Sequence, residues 1–178
     1  STHKNEEVFI GKVHKKIKLI KKNFLTVIIP RHTNRSEIII EDLKKIGLKI
    51  VKHSSTEKVK KDTDIYLVDT YGEVSKFYIL SNVVFLGGSL IPHGGQNPLE
   101  PARFGNYILY GPHVENFKEV YSTLEKLKIS KKVNSILKMK NMILQHITYK
   151  QSKLINKKLY SIGKKILIKN LSEINKYI

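Results

Sequence analysis

Two glycine pairs separated by five residues are typical of a loop that binds an anion. The first pair follows the apolar run Val83–Leu86, which predicts a buried strand. One glycine pair alone would indicate only a turn, but two pairs so close together favour a ligand-binding loop. The loop residues selected by this hypothesis are Gly87, Gly88, Ser89, Gly94, Gly95 and Gln96.

The second glycine pair leads into Asn97-Pro98-Leu99-Glu100, which is typical of a helix start. Asn97 suits the N-cap, Pro98 suits the first helical position, and Glu100 has the spacing of a capping box. Free backbone N–H groups at such a start favour an anion. The pattern is neither the G-x-G-x-x-G fingerprint nor a P-loop, because no Gly-Lys-Ser/Thr sequence follows.

Two arginines occupy the segment that follows another predicted strand, Leu25–Ile29. The guanidinium groups of Arg31 and Arg35 offer a rigid fork of donors that suits a phosphate or a carboxylate. The alternative is a solvated surface pair. We favour anion binding for Arg31 more than for Arg35, and a structural role for His32 between them.

Metal-ligand patterns are weak in this sequence. The segment 62–64 has the form D-x-D, but it precedes a predicted strand instead of ending one, so we expect a solvated turn. The seven histidines show no His-x-x-x-His or similar spacing. We therefore predict that the site binds no metal.

The segments that position these residues alternate between strand and helix. Apolar residues at helical spacing predict a first helix over residues 5–21. Further helices are expected at 36–46, 74–80, from about 97, 116–128, 132–147 and 151–177. Strands are expected at 25–29, 48–51, 65–68, 83–86 and 107–110. This order predicts an α/β fold with a Rossmann-like parallel sheet, helices on both faces and a helical C-terminal extension.

The length of 178 residues is consistent with a single domain over residues 1–178. The absence of cysteine excludes disulfides and thiolate metal sites. A net charge of +18, from 33 basic and 15 acidic residues, indicates an anionic partner: nucleic acid, a membrane surface or a phosphorylated substrate. A general compositional drift towards lysine is an equal alternative, because only three of the basic residues are arginine.

Six short motifs occur together and in order. They are Ser-Thr-His-x-x-Glu-Glu at 1–7, Pro-Arg-His-x-x-Arg at 30–35, Asp-Thr-x-Gly-Glu at 69–73, Gly-Gly-Ser-Leu at 87–90, Gly-Gly-x-Asn-Pro-Leu-Glu at 94–100 and Gly-Pro-His at 111–113. In these motifs the chain resembles the carboxyl-terminal domain of the lipid A Kdo transferases, where Kdo is 3-deoxy-D-manno-octulosonic acid. The resemblance covers about the first two-thirds of the chain.

This resemblance implies one half of a GT-B glycosyltransferase, which moves Kdo from CMP-Kdo to a lipid A precursor without a bound metal. The enzyme would work at the cytoplasmic face of the bacterial inner membrane, on an anionic surface. The acceptor and the catalytic base would belong to an amino-terminal domain, so this chain alone would bind the donor without catalysing transfer. We also expect a first strand before Ser1, because Ser1-Thr2-His3 is typical of a strand-to-helix loop.

The resemblance also extends the set of candidate donor-binding residues. It implies that Tyr71, Gly72 and Glu73 contact the base or the ribose, and that Glu100 binds the ribose hydroxyls. Helix-dipole compensation for Glu73 and a capping box for Glu100 are the alternatives. Ser1, Thr2 and Glu6 are further candidates. The family usually has Gly in place of Asn5, Met in place of Tyr71 and His in place of Gln96. Because a glutamine side chain can form hydrogen bonds but cannot carry a charge, Gln96 cannot take a charged role.

Two other functions stay open at this point. The chain could be the donor domain of another GT-B enzyme that uses a different sugar nucleotide. It could also be a basic nucleic-acid-binding module, although its tyrosines are scattered and no nucleic-acid motif is visible. In the last helix the stripe Ile155, Leu159, Ile162, Ile166 is expected to pack on the domain, and the turns through Leu171, Ile174 and Ile178 to be less buried.

Overall fold

The computed structural model describes residues 1–174, except for some side chains in the last helix. The described part contains six strands: β1 (Thr26–Ile28), β2 (Ile50–Lys52), β3 (Ile65–Leu67), β4 (Val83–Leu86), β5 (Tyr107–Tyr110) and β6 (Ser130–Lys132). The helices are α1 (Glu6–Lys18), α2 (Ser36–Lys45), α3 (Val74–Leu80), α4 (Leu99–Arg103), α5 (Lys118–Lys126), α6 (Ile136–His146) and α7 (Lys153–Ile174). Strands and helices alternate, as the apolar periodicity predicts.

The strands form two parallel sheets of three strands each, in the orders β1-β3-β2 and β4-β5-β6. In the first sheet Val27 is opposite Tyr66, and in the second Phe85 is opposite Leu109. All pairings are parallel, so every strand ends at the same edge. The α/β fold with parallel strands and helices on both faces is confirmed, and the loops after the strands share one edge.

Strand β5 shows how the helices cover both faces. Tyr107 and Leu109 point into a core shared with α1, α2 and α6, whereas Ile108 and Tyr110 point into a core shared with α4, α5 and α7. All four side chains are buried. This alternation is the period of two expected for a strand buried on both faces.

The predicted element bounds need three main corrections. Strand β6 was not predicted, because two of its three residues are exposed lysines and it lacks an apolar run. Helix α4 begins at Leu99, one residue later than predicted, with Pro98 at the N-cap. Strand β2 lies two residues later at its start than the predicted 48–51. Helices α1, α5 and α6 are shorter than predicted by two to four residues at one or both ends.

The D-x-D segment is a solvated turn only at Asp62, which is exposed. Asp64 is buried, and its carboxylate accepts hydrogen bonds from the Lys18 ammonium and from the Lys49 backbone N–H at 2.8 Å. It also contacts the buried His14 ring at 3.2 Å. The expectation was wrong for Asp64 because α1 supplies partners from 46 and 50 residues away, so this carboxylate joins α1 to the start of β3.

Helix α7 packs on the second core through Leu159, which is 2% exposed, and through the partly buried Ile155. Further along the helix Leu171 is 49% exposed, in agreement with the expectation of less burial there. The side chains of Ile162, Ile166 and Ile174, and the whole of Ile178, lie outside the described residues.

Candidate functional site

The candidate site lies at the edge where the parallel strands end. The amino-terminal residues reach this edge, because the Thr2 N–H donates to the Ile29 carbonyl and the Arg31 N–H donates to the Thr2 carbonyl, each at 2.9 Å. This ladder places Ser1 and Thr2 between the loop after β1 and the loop after β4. Four of the six motifs thereby meet in one place.

The first glycine loop is filled by a carboxylate of the protein itself. Glu6, in the first turn of α1, is 1% exposed. It accepts hydrogen bonds from the backbone N–H groups of Gly88 at 2.8 Å, Ser89 at 3.2 Å and Leu90 at 3.0 Å. The His3 N–H donates to it as well, at 2.9 Å. The loop is therefore an anion cradle, as its composition indicates, and Glu6 is the anion that it holds.

Ser89 and Gly87 hold the sheet edge together. Ser89 is fully buried, and its hydroxyl accepts a hydrogen bond from the Gly111 N–H at 2.8 Å. A Cβ on Gly87 would come within 2.1 Å of the Ser1 carbonyl oxygen, so only glycine lets these backbones approach. Both positions support the loops from inside the protein.

The second glycine pair is held against the loop after β5. A Cβ on Gly94 would lie 2.4 Å from the Asn116 side chain, and the Gly94 φ angle is +88°. The Gly95 N–H donates to the Gly88 carbonyl at 2.9 Å, so the two glycine pairs are hydrogen-bonded to each other. Gln96 exchanges two hydrogen bonds with Ser1, through its Oε1 at 3.1 Å and its Nε2 at 3.0 Å.

The two candidate arginines differ in environment. Arg35 forms a bidentate pair with the buried Glu7 carboxylate, at 3.1 and 3.2 Å, and Thr2 Oγ1 donates to the same carboxylate at 3.0 Å. Arg31 is exposed, and its guanidinium has no hydrogen bond or ion pair to any described residue. Arg31 is thus the arginine of this pair that is available to a ligand.

Asn97 and Glu100 border a groove of about 630 Å³ between α4 and α7. The Asn97 side chain accepts a hydrogen bond from the Leu99 N–H at 3.0 Å, so it stabilises the helix start from one position before the N-cap. The exposed Glu100 carboxylate forms no capping box within the described part of the chain. An exposed carboxylate therefore lies three residues after Asn97, beside the second glycine pair.

The loop after β3 brings an exposed ring to the same edge. Tyr71 is 74% exposed, and hydrogen bonding with Thr33 lowers the pKa of its hydroxyl. Gly72 follows with a φ angle of +84°. Glu73 pairs with Lys76 at 2.7 Å, one turn along α3, and this hydrogen bond lowers the pKa of the Glu73 carboxyl. Tyr71 is therefore open to a planar ligand, whereas Glu73 already has a partner.

Sequence reasoning missed a cluster of three histidines at the site. The rings of His3 and His93 lie 4.2 Å apart, and the ring of His32 lies 6.4 Å from His3. Burial, followed by the charge of His93, lowers the pKa of His3. No spacing rule detects such a cluster, because its members are 29 and 61 residues apart along the chain. Their one shared signal is their position near the strand ends, since His3 and His32 lie within motifs and His93 directly precedes one.

Two properties of the described residues bear on metals and membranes. Among them, no group of three or more histidines and carboxylates has the geometry to hold a metal ion. None of their helices combines the length and the apolarity that crossing a membrane requires.

Comparison with known proteins identifies 3-deoxy-D-manno-octulosonic acid transferases among the relatives of this chain. The chain is 32% identical over 170 residues to the 3-deoxy-D-manno-octulosonic acid transferase of Haemophilus influenzae, covering 96% of this chain and 39% of that relative. It is 30% identical to the enzyme of the same name from Rickettsia conorii, covering 100% of this chain and 39% of that relative. No protein-family model matches the chain.

A solved structure has the same fold. The C-terminal CMP-Kdo binding domain of WaaA from Acinetobacter baumannii superimposes with a TM-score of 0.78 at 25% sequence identity. The match covers 92% of this chain and 84% of that domain. The chain spans about two-fifths of the length of the curated relatives that it matches.

Proposed function

We propose that this chain, which belongs to the 3-deoxy-D-manno-octulosonic acid transferase family, binds the donor CMP-Kdo in such an enzyme. One observation carries the proposal: the fold matches, over 92% of the chain, a domain described as binding CMP-Kdo. The described residues add an exposed guanidinium, an exposed aromatic ring and an exposed carboxylate at the ligand edge of a parallel sheet.

Each exposed group suits a different part of CMP-Kdo. The Arg31 guanidinium matches the phosphate or the Kdo carboxylate, because both accept a fork of hydrogen bonds. The Glu100 carboxylate suits the ribose hydroxyls, since it is not engaged in a capping box. The Tyr71 ring suits stacking on the cytosine, and Gly72 leaves room beside it. The Asn97 side chain lies next to Glu100 in the same groove.

The remaining candidates act by supporting this surface. Glu6 fills the glycine loop with its own carboxylate, so residues 87–89 shape the site instead of holding the donor phosphate. Gln96 fixes Ser1, and Arg35 fixes Glu7 below Thr2. Glu73 is available to the donor only after it releases Lys76.

The complete enzyme would transfer Kdo to a lipid A precursor in lipopolysaccharide biosynthesis. We propose that the acceptor site and the catalytic base belong to an amino-terminal domain, since the relatives are longer than this chain. This chain would contribute no catalytic residue, and the transfer would proceed without a bound metal. The net charge of +18 would attract the anionic donor and hold the enzyme at the anionic cytoplasmic face of the inner membrane.

Isothermal titration calorimetry with CMP, UMP and AMP tests the proposed donor class. We expect CMP to bind most tightly, and Arg31→Ala to weaken CMP binding by about tenfold, the loss of one charge-assisted hydrogen bond. Lys22→Ala, which removes an exposed cation away from the site edge, is the matched control and should bind like the unchanged chain. Equal and salt-sensitive binding of all three nucleotides would reduce the site to a general anion patch.

A further inference from the structure

We infer that the outer side of α7 is a docking surface for an anionic lipid bilayer. The biological setting rests on the proposed function, whose acceptor is a lipid A precursor in a membrane. The surface itself follows from the burial, spacing and charge of the helix. Its outer stripe consists of five exposed residues: Lys157, Tyr160, Lys164, Ile168 and Leu171.

The outer stripe lies opposite the residues through which α7 packs on the second core. Leu159 is 2% exposed, and Ile155, one turn earlier, is partly buried in the same core. At 3.6 residues per turn, the five positions of the outer stripe fall within about 80° of one another, on the side of the helix that faces away from Ile155 and Leu159. Docking of α7 on its own domain therefore leaves the outer stripe uncovered.

Three members of the outer stripe have large apolar side chains. Tyr160 is 71% exposed, Ile168 is 55% exposed and Leu171 is 49% exposed. One exposed apolar side chain needs no explanation, but three along one side of a helix form a patch that indicates an interaction site. A bilayer interface suits such a patch, because the aliphatic side chains can enter the acyl region. The tyrosine ring can lie at the level of the head groups with its hydroxyl in water.

The net charge of the chain is concentrated in the segment that contains α7. Residues 126–178 include 14 lysines and one acidic residue, Glu173, which give a net charge of +13. Residues 1–125 include 19 basic and 14 acidic residues, which give a net charge of +5. A general drift towards lysine does not explain this difference, because it would not remove acidic residues from one segment alone. The asymmetry favours an anionic partner at this part of the molecule.

The lysines of the outer stripe are available to such a partner. Lys157 and Lys164 are exposed, and so is the adjacent Lys158. Among the side chains that the structure describes, no carboxylate forms an ion pair with these three lysines. A lysine beside apolar groups can lay its aliphatic stem along the membrane boundary and reach the head groups with its ammonium. Each lysine near an anionic bilayer raises the affinity by about fivefold.

A bilayer suits the outer stripe better than a nucleic acid does. All 14 basic residues of the segment 126–178 are lysines, whereas arginine provides the fork of donors that matches a phosphate in two places. Single-stranded nucleic acid also needs several aromatic side chains on which its bases can stack. The outer stripe has one ring, Tyr160, and two aliphatic side chains. Aliphatic side chains between lysines match the head groups and acyl chains of a lipid.

Flotation with lipid vesicles tests the surface. We expect the chain to bind vesicles of phosphatidylcholine and phosphatidylglycerol in equal parts, and not vesicles of phosphatidylcholine alone. Lys157→Gln combined with Lys164→Gln should weaken this binding by about thirtyfold. Lys12→Gln combined with Lys16→Gln is the matched control, because it removes two exposed lysines from α1 on the other face of the sheet. Equal weakening by the two pairs would show that only the overall charge matters, and would overturn the inference.

The apolar part of the surface has a separate variant and control. Ile168→Gln should weaken vesicle binding by about tenfold, because the isoleucine no longer enters the bilayer. Ile38→Gln changes a side chain of α2 that is 59% exposed, and it should bind vesicles like the unchanged chain. Unchanged binding of Ile168→Gln would contradict a surface that inserts apolar side chains.

A tryptophan reporter shows which side of the molecule meets the lipid. The chain contains no tryptophan, so Tyr160→Trp provides a single fluorophore in the outer stripe. We expect its emission to shift to shorter wavelength with the mixed vesicles and to be quenched by brominated acyl chains. Ile38→Trp is the control on the other face of the sheet and should show neither change. A response at position 38 and none at position 160 would overturn the inference.

Other partners for the outer stripe give different results. A tryptophan at position 160 that is shielded from acrylamide without vesicles would show that a second copy or another domain covers the face. Binding of a single-stranded oligonucleotide without binding of vesicles would assign the face to nucleic acid. Either result would overturn the inference.

Calorimetry with CMP separates this surface from the proposed function. The variants of the outer stripe should bind CMP like the unchanged chain, because they lie outside the set of donor-binding candidates. A chain that binds CMP but not the mixed vesicles would overturn the inference and leave the proposed function intact. A chain that binds the mixed vesicles but not CMP would contradict the proposed function and leave the docking surface intact.

Discussion

The Glu6 carboxylate accepts a 2.8 Å hydrogen bond from the backbone N–H of Gly88, across 82 residues of sequence. The first turn of α1 is thereby held inside the loop that follows β4. A glycine loop with free N–H groups would be a site for a ligand phosphate, but here a buried side chain satisfies those groups. The exposed groups around the loop, chiefly Arg31, are left for the donor.

Glu6→Gln should destabilise the protein strongly. The amide has one oxygen where the carboxylate has two, and its NH₂ group cannot accept from the N–H groups of Gly88, Ser89 and Leu90. We expect a loss of about 3 kcal/mol in the free energy of unfolding, or about 10 °C in Tm. Thermal unfolding monitored by circular dichroism measures the decrease in Tm. Glu57→Gln, at an exposed position, is the control and should change Tm by less than about 2 °C.

The two arginines of the loop after β1 should separate binding from stability. Arg35→Ala leaves the buried Glu7 carboxylate without its bidentate partner, and should cost about 2–3 kcal/mol in urea unfolding. Arg31→Ala removes an exposed cation, and should leave the urea midpoint unchanged while weakening CMP binding. If Arg31→Ala unfolds as early as Arg35→Ala, Arg31 has a structural role and the proposed division is wrong.

The two aspartates of the D-x-D segment should differ in how much stability their substitution costs. Asp64→Asn weakens the contacts of a buried carboxylate with Lys18, His14 and the Lys49 N–H, at a cost of about 2–3 kcal/mol. Asp62→Asn removes only an exposed ion pair with Lys49 and should cost about 0.5 kcal/mol. Urea denaturation of the two variants provides the comparison. Equal losses would show that the segment acts as a surface turn after all.

Stability should fall as the solution becomes acidic through pH 6.5. Burial lowers the pKa of His14, and the hydrogen bond to Asp64 opposes this only in part. The pKa of His14 in the unfolded chain is about 6.5. As the pH falls below this pKa, the unfolded chain therefore binds more protons than the folded one, and the free energy of unfolding decreases. Urea unfolding between pH 5 and pH 8 measures this slope.

The variant His14→Gln isolates the contribution of this ring. Burial also lowers the pKa of His3, so both proteins should keep part of the slope. We expect the slope below pH 6.5 to be shallower in His14→Gln than in the unchanged chain, whatever its absolute stability. Parallel curves for the two proteins would mean that His14 titrates normally when folded.

Two glycine substitutions should have opposite effects. Gly87→Ala places a Cβ 2.1 Å from the Ser1 carbonyl oxygen, a backbone atom that cannot move aside, so we expect a loss of about 3 kcal/mol. Gly163→Ala adds a methyl group within α7 where no atom lies within 4 Å. It should stabilise the protein by up to about 1 kcal/mol, because alanine favours a helix more than glycine does. Differential scanning calorimetry should show a lower Tm for Gly87→Ala and a higher Tm for Gly163→Ala.

Local features of the sequence determined most of the elements. Helix α3 and strands β4 and β5 have the predicted bounds, because each is a short apolar run between residues that end a strand or a helix. The motifs after β1, β3 and β4 do lie at one edge, since parallel strands all end on the same side. The left-handed conformation of Asn5, with a φ angle of 75°, was also predictable, because asparagine tolerates it.

Only the tertiary structure decided which of those residues are free to bind. The pairs Glu6–Gly88 and Glu7–Arg35 join residues 82 and 28 positions apart, and the ring contact of His3 with His93 spans 90 positions. A parallel sheet brings such residues together through long crossovers, so their hydrogen bonds leave no local pattern in the sequence. Composition therefore located the anion-binding loop, whereas the fold determined that a buried carboxylate of the same chain occupies it.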